Sequence, residues 1–150
     1  MKIAWLLAFV TGMFAFVANA EGIGKGALFG TWEGGDGASE AIYGKLTLTK
    51  NGVSWSGGAA CRGTYSIESK ETSDRYPNMF GRPTQGRTFT LFKLRLDLRN
   101  CQENVGAFLF AFPSDDKGSY VEFVEFGKDG QVNGVMHFYK IGAPAGSGKE

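Results

Sequence analysis

The single histidine, His137, is the one ordinary candidate for a general base in this chain. It lies in the run Val135-Met136-His137-Phe138-Tyr139, and on strand alternation it shares a face with Val135 and Tyr139. That is the setting of a histidine packed into a sheet, not of one poised beside a nucleophile. Paired carboxylates could act as acid and base on a glycosidic bond. The nearest pair, Glu122 and Glu125, point to opposite faces of a strand, and Asp115 and Asp116 fall in a polar turn. Ser114-Asp115-Asp116-Lys117 has the S-x-x-K spacing of an acylating serine, but it sits in that same turn and the companion motifs are absent. Gly142 to Lys149 lacks the spacing of a phosphate loop, and Glu150 stands where Ser or Thr is needed. One His and two Cys cannot build a transition-metal site of the usual kind, which leaves only turn carboxylates as weak Ca²⁺ ligands. The inventory reads as a protein that does not catalyse, with no catalytic residue, no resident metal and no cofactor.

The two cysteines take their meaning from the N-terminus. Met1-Lys2 is a short basic start, Ile3 to Val17 is apolar apart from Thr11 and Gly12, and Ala18-Asn19-Ala20 places small residues where a signal peptidase cuts. A spanning helix needs about 20 apolar residues and this run is shorter. The expectation is a signal peptide over 1–20, cleaved after Ala20, and a periplasmic or extracellular protein. In an oxidising compartment Cys61 and Cys101 have only each other, so they are expected to form a structural disulfide. Closing a loop of that length stabilises a fold by about 4 kcal/mol in the chain-entropy picture.

Composition bounds the partners. Lys2 is the only charge before Glu21, so its removal turns 16 basic and 15 acidic side chains into an even balance. Bulk electrostatics therefore do not recruit the mature chain to nucleic acid or to anionic lipid. The distribution is less even: Cys61 to Asn100 holds eight basic residues against four acidic, and Cys101 to Gly130 holds two against six. This is either a solvated face or a basic surface for an acidic partner or an anionic headgroup. There are 23 glycines, well above the ordinary share of roughly 7%, which disfavours long helices. Thirteen Phe supply a core.

The elements that must position these residues are strands. Lys93-Leu94-Arg95-Leu96-Asp97-Leu98-Arg99 sets three Leu on one face and four charges on the other. Upstream, Phe89 and Leu91 change parity against Phe92 and Leu94, which predicts a bulge near Leu91 to Phe92. Leu46 to Thr49 turns through Lys50-Asn51-Gly52 into Val53 to Trp55, and Val121 to Phe126 turns through Lys128-Asp129-Gly130 into Val135 to Ile141. With Leu28 to Glu33, Arg62 to Glu68, Thr88 to Arg99 and Gly106 to Phe112, the count is about eight strands. The expected fold is all-β, an antiparallel up-and-down barrel over 28–141, with a two-sheet sandwich as the alternative. Residues 21–27 read as a flexible lead-in and 142–150 as a disordered tail. A regular ladder with Cys61 opposite Cys101 would place Tyr65 and Ile67 on the face of Asp97 and Arg95. The spacing therefore requires either a bulge or a bridge outside the ladder.

Gly30-Thr31-Trp32, on the first strand of this pattern, resembles the Gly-x-Trp signature that opens lipocalins and related calycin barrels. The resemblance implies an eight-stranded barrel with the Trp closing its floor and a cup for an apolar ligand. In some bacterial relatives it implies instead a scaffold whose loops bind and inhibit another protein. Lys140 stands on the last strand where the family carries an Arg over the Trp, and no Thr-Asp-Tyr motif links the middle strands. From the residues alone, Trp32 also reads as a large core side chain.

The leading expectation is an exported, non-catalytic binding protein that holds a small apolar or amphipathic ligand among Trp32, Trp55, Phe108 and Phe110. The alternative is a protein-binding or inhibitory module acting on a secreted or periplasmic protein through the connection 69–86. There Arg75, Tyr76, Phe80 and Arg82 lie between prolines in a hot-spot composition. A small outer-membrane barrel, with Leu94, Leu96 and Leu98 facing lipid, is the lesser alternative. The pattern leaves the oligomeric state open.

Overall fold

The computed structural model describes residues 23–76, 86–99, 101 and 104–142. Eight strands run in chain order: β1 (Gly30–Gly34), β2 (Lys45–Leu48), β3 (Val53–Trp55), β4 (Cys61–Ser73), β5 (Phe89–Leu98), β6 (Ala107–Pro113), β7 (Tyr120–Phe126) and β8 (Val132–Lys140). Each pairs antiparallel with the next, and β1 also pairs with β8, so the sheet closes into a barrel. Closure removes the open edges that would otherwise invite aggregation. The expected all-β up-and-down barrel is the fold, and the sandwich is not.

Alternation decides which side chains go inside. Trp32, Leu46, Leu48, Val53, Trp55, Phe92, Leu94, Phe108, Phe110, Phe112, Val121, Phe123, Met136 and Phe138 are all buried and form one cluster. Burying each such side chain contributes about 1.5–3 kcal/mol. Between them, Lys93, Arg95 and Asp97 face outward along β5, as the pattern of three Leu predicts.

The hairpins fall where their turn residues place them. Leu48 pairs with Val53, and the four residues between are closed by Thr49, whose amide donates to the Gly52 carbonyl at 2.9 Å. The expected signal peptide, 1–20, and the tail beyond Gly142 lie outside the described residues.

The structure corrects the expected bulge. β5 pairs with β6 without interruption from Phe89 to Arg95. The register shift lies on the neighbouring strand, between Ile67 and Ser69 of β4. Phe89 and Leu91 change parity because β5 is apolar on both faces at this end. With Ala111 they form a second buried cluster, against which Tyr76 and Leu109 pack. Residues 69–73 also belong to β4, paired with Phe89 to Lys93, so the connection is shorter than 69–86.

Cys61 and Cys101 are bonded, with Cα atoms 5.6 Å apart. Cys101 lies beyond the last β4–β5 pair, Gly63 with Leu98, so the bridge is outside the ladder. Tyr65 and Ile67 accordingly face Leu96 and Leu94, not Asp97 and Arg95. A disulfide fits a periplasmic or extracellular protein. Among the described residues no helix is long and apolar enough to cross a membrane.

Two short elements were not foreseen. A 3₁₀ turn, Lys25–Leu28, occupies what reads as a loose lead-in. A two-turn helix, α1 (Gly37–Tyr43), connects β1 to β2. Asp36 caps it by accepting from the Ser39 amide at 2.8 Å, and Ser39 Oγ accepts from the Asp36 amide at 3.1 Å, a reciprocal capping box. Gly44, at φ 58°, ends it.

Candidate functional site

The structure does bring Trp32, Trp55, Phe108 and Phe110 into one cluster, but in contact with one another and with their neighbours. All four are at most 4% exposed. Trp55 and Phe108 are 5.9 Å apart between ring centroids, Trp32 and Phe110 are 6.2 Å apart, and Phe123 lies 4.7 Å from Phe108 and 5.2 Å from Phe110. These are the edge-to-face separations of a packed aromatic core. Each of the four rings is therefore buried against other side chains of the barrel.

At the centre of this cluster stands a residue that the sequence reading missed. Tyr43, the last residue of α1, makes edge contacts with Trp55, Phe108, Phe123 and Phe138 at 5.4–5.8 Å. Its hydroxyl donates to Glu125, which is turned inward on β7 and is 7% exposed. Asn133 Nδ2 donates to the other Glu125 oxygen at 2.8 Å, so the buried carboxylate is held from both sides. The missed signal was the cap: Asp36 and Ser39 three apart, then Gly44, mark a short helix.

The barrel floor is built from β1, β8 and the 3₁₀ turn. Trp32 Nε1 donates to the Leu28 carbonyl at 3.0 Å. Lys140 lies over the Trp32 ring and donates to the Ala27 carbonyl, and burial lowers its pKa. Its aliphatic stem crosses Gly30, where a Cβ would come within 2.9 Å of Lys140 Cε. Gly30 also holds φ at 129°, a backbone conformation that other residues rarely adopt.

Of the four residues expected to meet a partner, Phe80 and Arg82 lie outside the described residues. Arg75 is exposed at the end of the β4–β5 hairpin. Tyr76 packs its ring 5.8 Å from Phe89, on the outer surface of the barrel. Nearby, Arg87 is paired with Asp115 at 2.9 Å, and this bond raises the guanidinium pKa further.

The other constellation that the sequence did not assemble is on the outer face of β7 and β8. His137 lies there with Tyr120 and Tyr139, the three ring centroids 5.3–5.9 Å apart. Asp36 Oδ2 accepts from the His137 amide at 3.0 Å and sits 3.0 Å from His137 Nδ1. Burial alone would push the Asp36 carboxyl up. The Ser39 and His137 amides, the Ser39 hydroxyl and the His137 charge together outweigh it and hold the pKa low. Tyr120 donates to Glu122 at 3.2 Å, and burial, then the Glu122 charge, push its phenol well up.

An aspartate behind a histidine is the base-and-orienter half of a hydrolytic triad. Here the imidazole side chain is 32% exposed. It lies against Gly35, where a Cβ would be 2.6 Å from Nε2 and 2.7 Å from the Tyr139 ring. The nearby hydroxyl, Ser39, is fully buried and donates to the Asp36 carbonyl at 2.9 Å. The pair therefore fastens the start of α1 to β8.

Fold and site together define a closed, disulfide-linked, eight-stranded antiparallel barrel with aromatic rings buried in its interior and an aromatic patch on its outer wall. Compared with known proteins, the chain matches no family model, no curated protein and no solved structure.

Proposed function

We propose that this chain is an exported, non-catalytic binding protein whose barrel is a rigid scaffold for contact with another protein. The observation that carries this reading is the filled interior. Trp32, Tyr43, Phe108, Phe110, Phe123 and Phe138 are fully buried against one another, and α1 plugs the core with Tyr43. A ligand would have to part these rings and give up their close packing.

Other features support the surroundings of this reading. The arrangement of Gly30, Trp32 and Lys140 supports the resemblance to calycin barrels, with Lys140 in the place of their arginine. The charged outer row of β5 supports a barrel bathed in water, since a lipid-facing wall would be apolar there. The apolar stretch 3–17, the small residues at 18–20 and the disulfide support export with cleavage after Ala20. On this reading Arg75 and Tyr76, at the tip of the β4–β5 hairpin, form part of the contact surface.

Native mass spectrometry of the protein purified without detergent from its own host tests the proposal. The expected result is the bare chain, or the chain with a protein partner. A stoichiometric small molecule would overturn the scaffold reading in favour of a ligand held among Trp32, Trp55, Phe108 and Phe110.

A further inference from the structure

Resting on the scaffold reading, we infer that the outer-wall cluster of Tyr120, His137 and Tyr139 is the docking site for a cationic side chain, preferably arginine, presented by a partner protein. Two rows of outward-facing residues differ sharply. On β5 the outward row is Lys93, Arg95 and Asp97, an ordinary solvated face. On β8 and just beyond it, the outward row is Val135, His137, Tyr139 and Ile141. Val135 is 41% exposed, Tyr139 52% and Ile141 45%. An exposed tyrosine beside a partly buried one and apolar neighbours is the composition of an interface anchor.

The charges around the rings select the occupant. Glu33 is the β1 partner of Tyr139, Glu122 is the β7 partner of His137, and Asp36 lies on the His137 ring. The basic groups nearby are Lys45, the β2 partner of Glu33, and Arg87, which is paired with Asp115. Lys140 is turned inward onto Trp32. Carboxylates therefore border the exposed Tyr139 ring, while Arg87, held by Asp115, reaches the field of Tyr120 and His137 is paired with Asp36. A guanidinium can lie flat on a tyrosine face while its N–H groups reach a carboxylate, which an ammonium cannot do as well.

Hexa-arginine, hexa-lysine and hexa-glutamate are the probes, titrated at physiological salt into the full exported protein and followed by amide and tyrosine NMR shifts. The expected result is saturable shifts centred on Tyr120, Glu122, His137 and Tyr139, stronger for hexa-arginine than for hexa-lysine and absent for hexa-glutamate. Tyr139→Ala removes a half-exposed ring without opening the core, and Glu122→Gln tests the charge separately. Each should weaken hexa-arginine binding by about threefold to thirtyfold. Asp97→Asn, on the β5 face, should leave it unchanged.

Shifts spread alike over Glu68, Glu71 and Asp129, equal binding of the two cationic peptides, or unchanged binding by Tyr139→Ala would each overturn the assignment. Those outcomes leave the scaffold reading intact, because that reading fails only on a co-purified small molecule.

Discussion

The ammonium of Lys140 sits 5.2 Å from the centre of the Trp32 ring while donating to the Ala27 carbonyl at 2.8 Å. One side chain thereby ties the last strand, the first strand and the turn before it into a floor. The contact requires Gly30, because the lysine stem passes where a Cβ would stand. Gly30→Ala should lower stability by about 1–3 kcal/mol through φ strain and the clash. In a double-mutant cycle of Trp32→Phe with Lys140→Met, urea denaturation should return a coupling of about 0.5–2 kcal/mol. A coupling of zero would mean that the cation and the ring merely lie near each other.

The interior makes a sharper prediction. Phe110→Ala removes a fully buried ring that touches Trp32 and Phe123. It should cost about 3–5 kcal/mol if the barrel is solid. A loss below about 1 kcal/mol, read from the urea midpoint, would instead indicate a site with room to spare.

Tyr43→Phe leaves the ring contacts in place and removes the hydroxyl that meets Glu125. Among the described residues the carboxylate then keeps Asn133 as its side-chain donor. Stability should fall by about 1–3 kcal/mol, and Tyr43→Phe with Glu125→Gln should recover part of it. Additive losses in the double variant would count against a direct bond.

The disulfide should contribute about 4 kcal/mol at most, since it closes a loop of 40 residues. Reduction, or Cys61→Ser with Cys101→Ser, should lower the urea midpoint without abolishing the barrel's circular dichroism at low temperature. Complete unfolding in the absence of denaturant would show that the remaining core is weaker than its burial implies.

Two groups give the stability a pH dependence of stated sign. Asp36 titrates lower in the folded chain than its ordinary 3.8, so its contribution is complete above that value. The contribution is lost as pH falls through the folded pKa, because the unfolded chain takes up the proton first. Lys140 titrates below its ordinary 10.5, so the unfolded chain keeps its proton to higher pH. Its contribution therefore rises as pH climbs toward that value. Urea midpoints of Asp36→Asn should be flatter than wild type between pH 5 and about pH 2, and those of Lys140→Met flatter near about pH 10. Parallel curves would remove either group from the account.

Much of the wall was legible in the sequence, and for local reasons. The alternation in 93–99, the Asn51-Gly52 and Asp129-Gly130 turns and the paired cysteines each act within a few residues or by elimination, and each led to the observed element. Local pattern failed where one strand is apolar on both faces. Phe89 and Leu91 looked like a bulge because alternation cannot reveal a second cluster on the outside of the barrel.

The sequence by itself determined an exported-looking, strand-rich chain with one bridge and a surplus of aromatic residues, because period, turn chemistry and cysteine count need no long-range contact. Only the tertiary structure decided which of those aromatic residues meet. Closing β1 onto β8 brings Tyr139 beside Glu33 and lays Lys140 over Trp32. Residues more than a hundred positions apart, such as Asp36 and His137, meet only once the ring is closed. The same closure places Tyr43 in the interior, against Trp55, Phe108, Phe123 and Phe138, which come from four different strands.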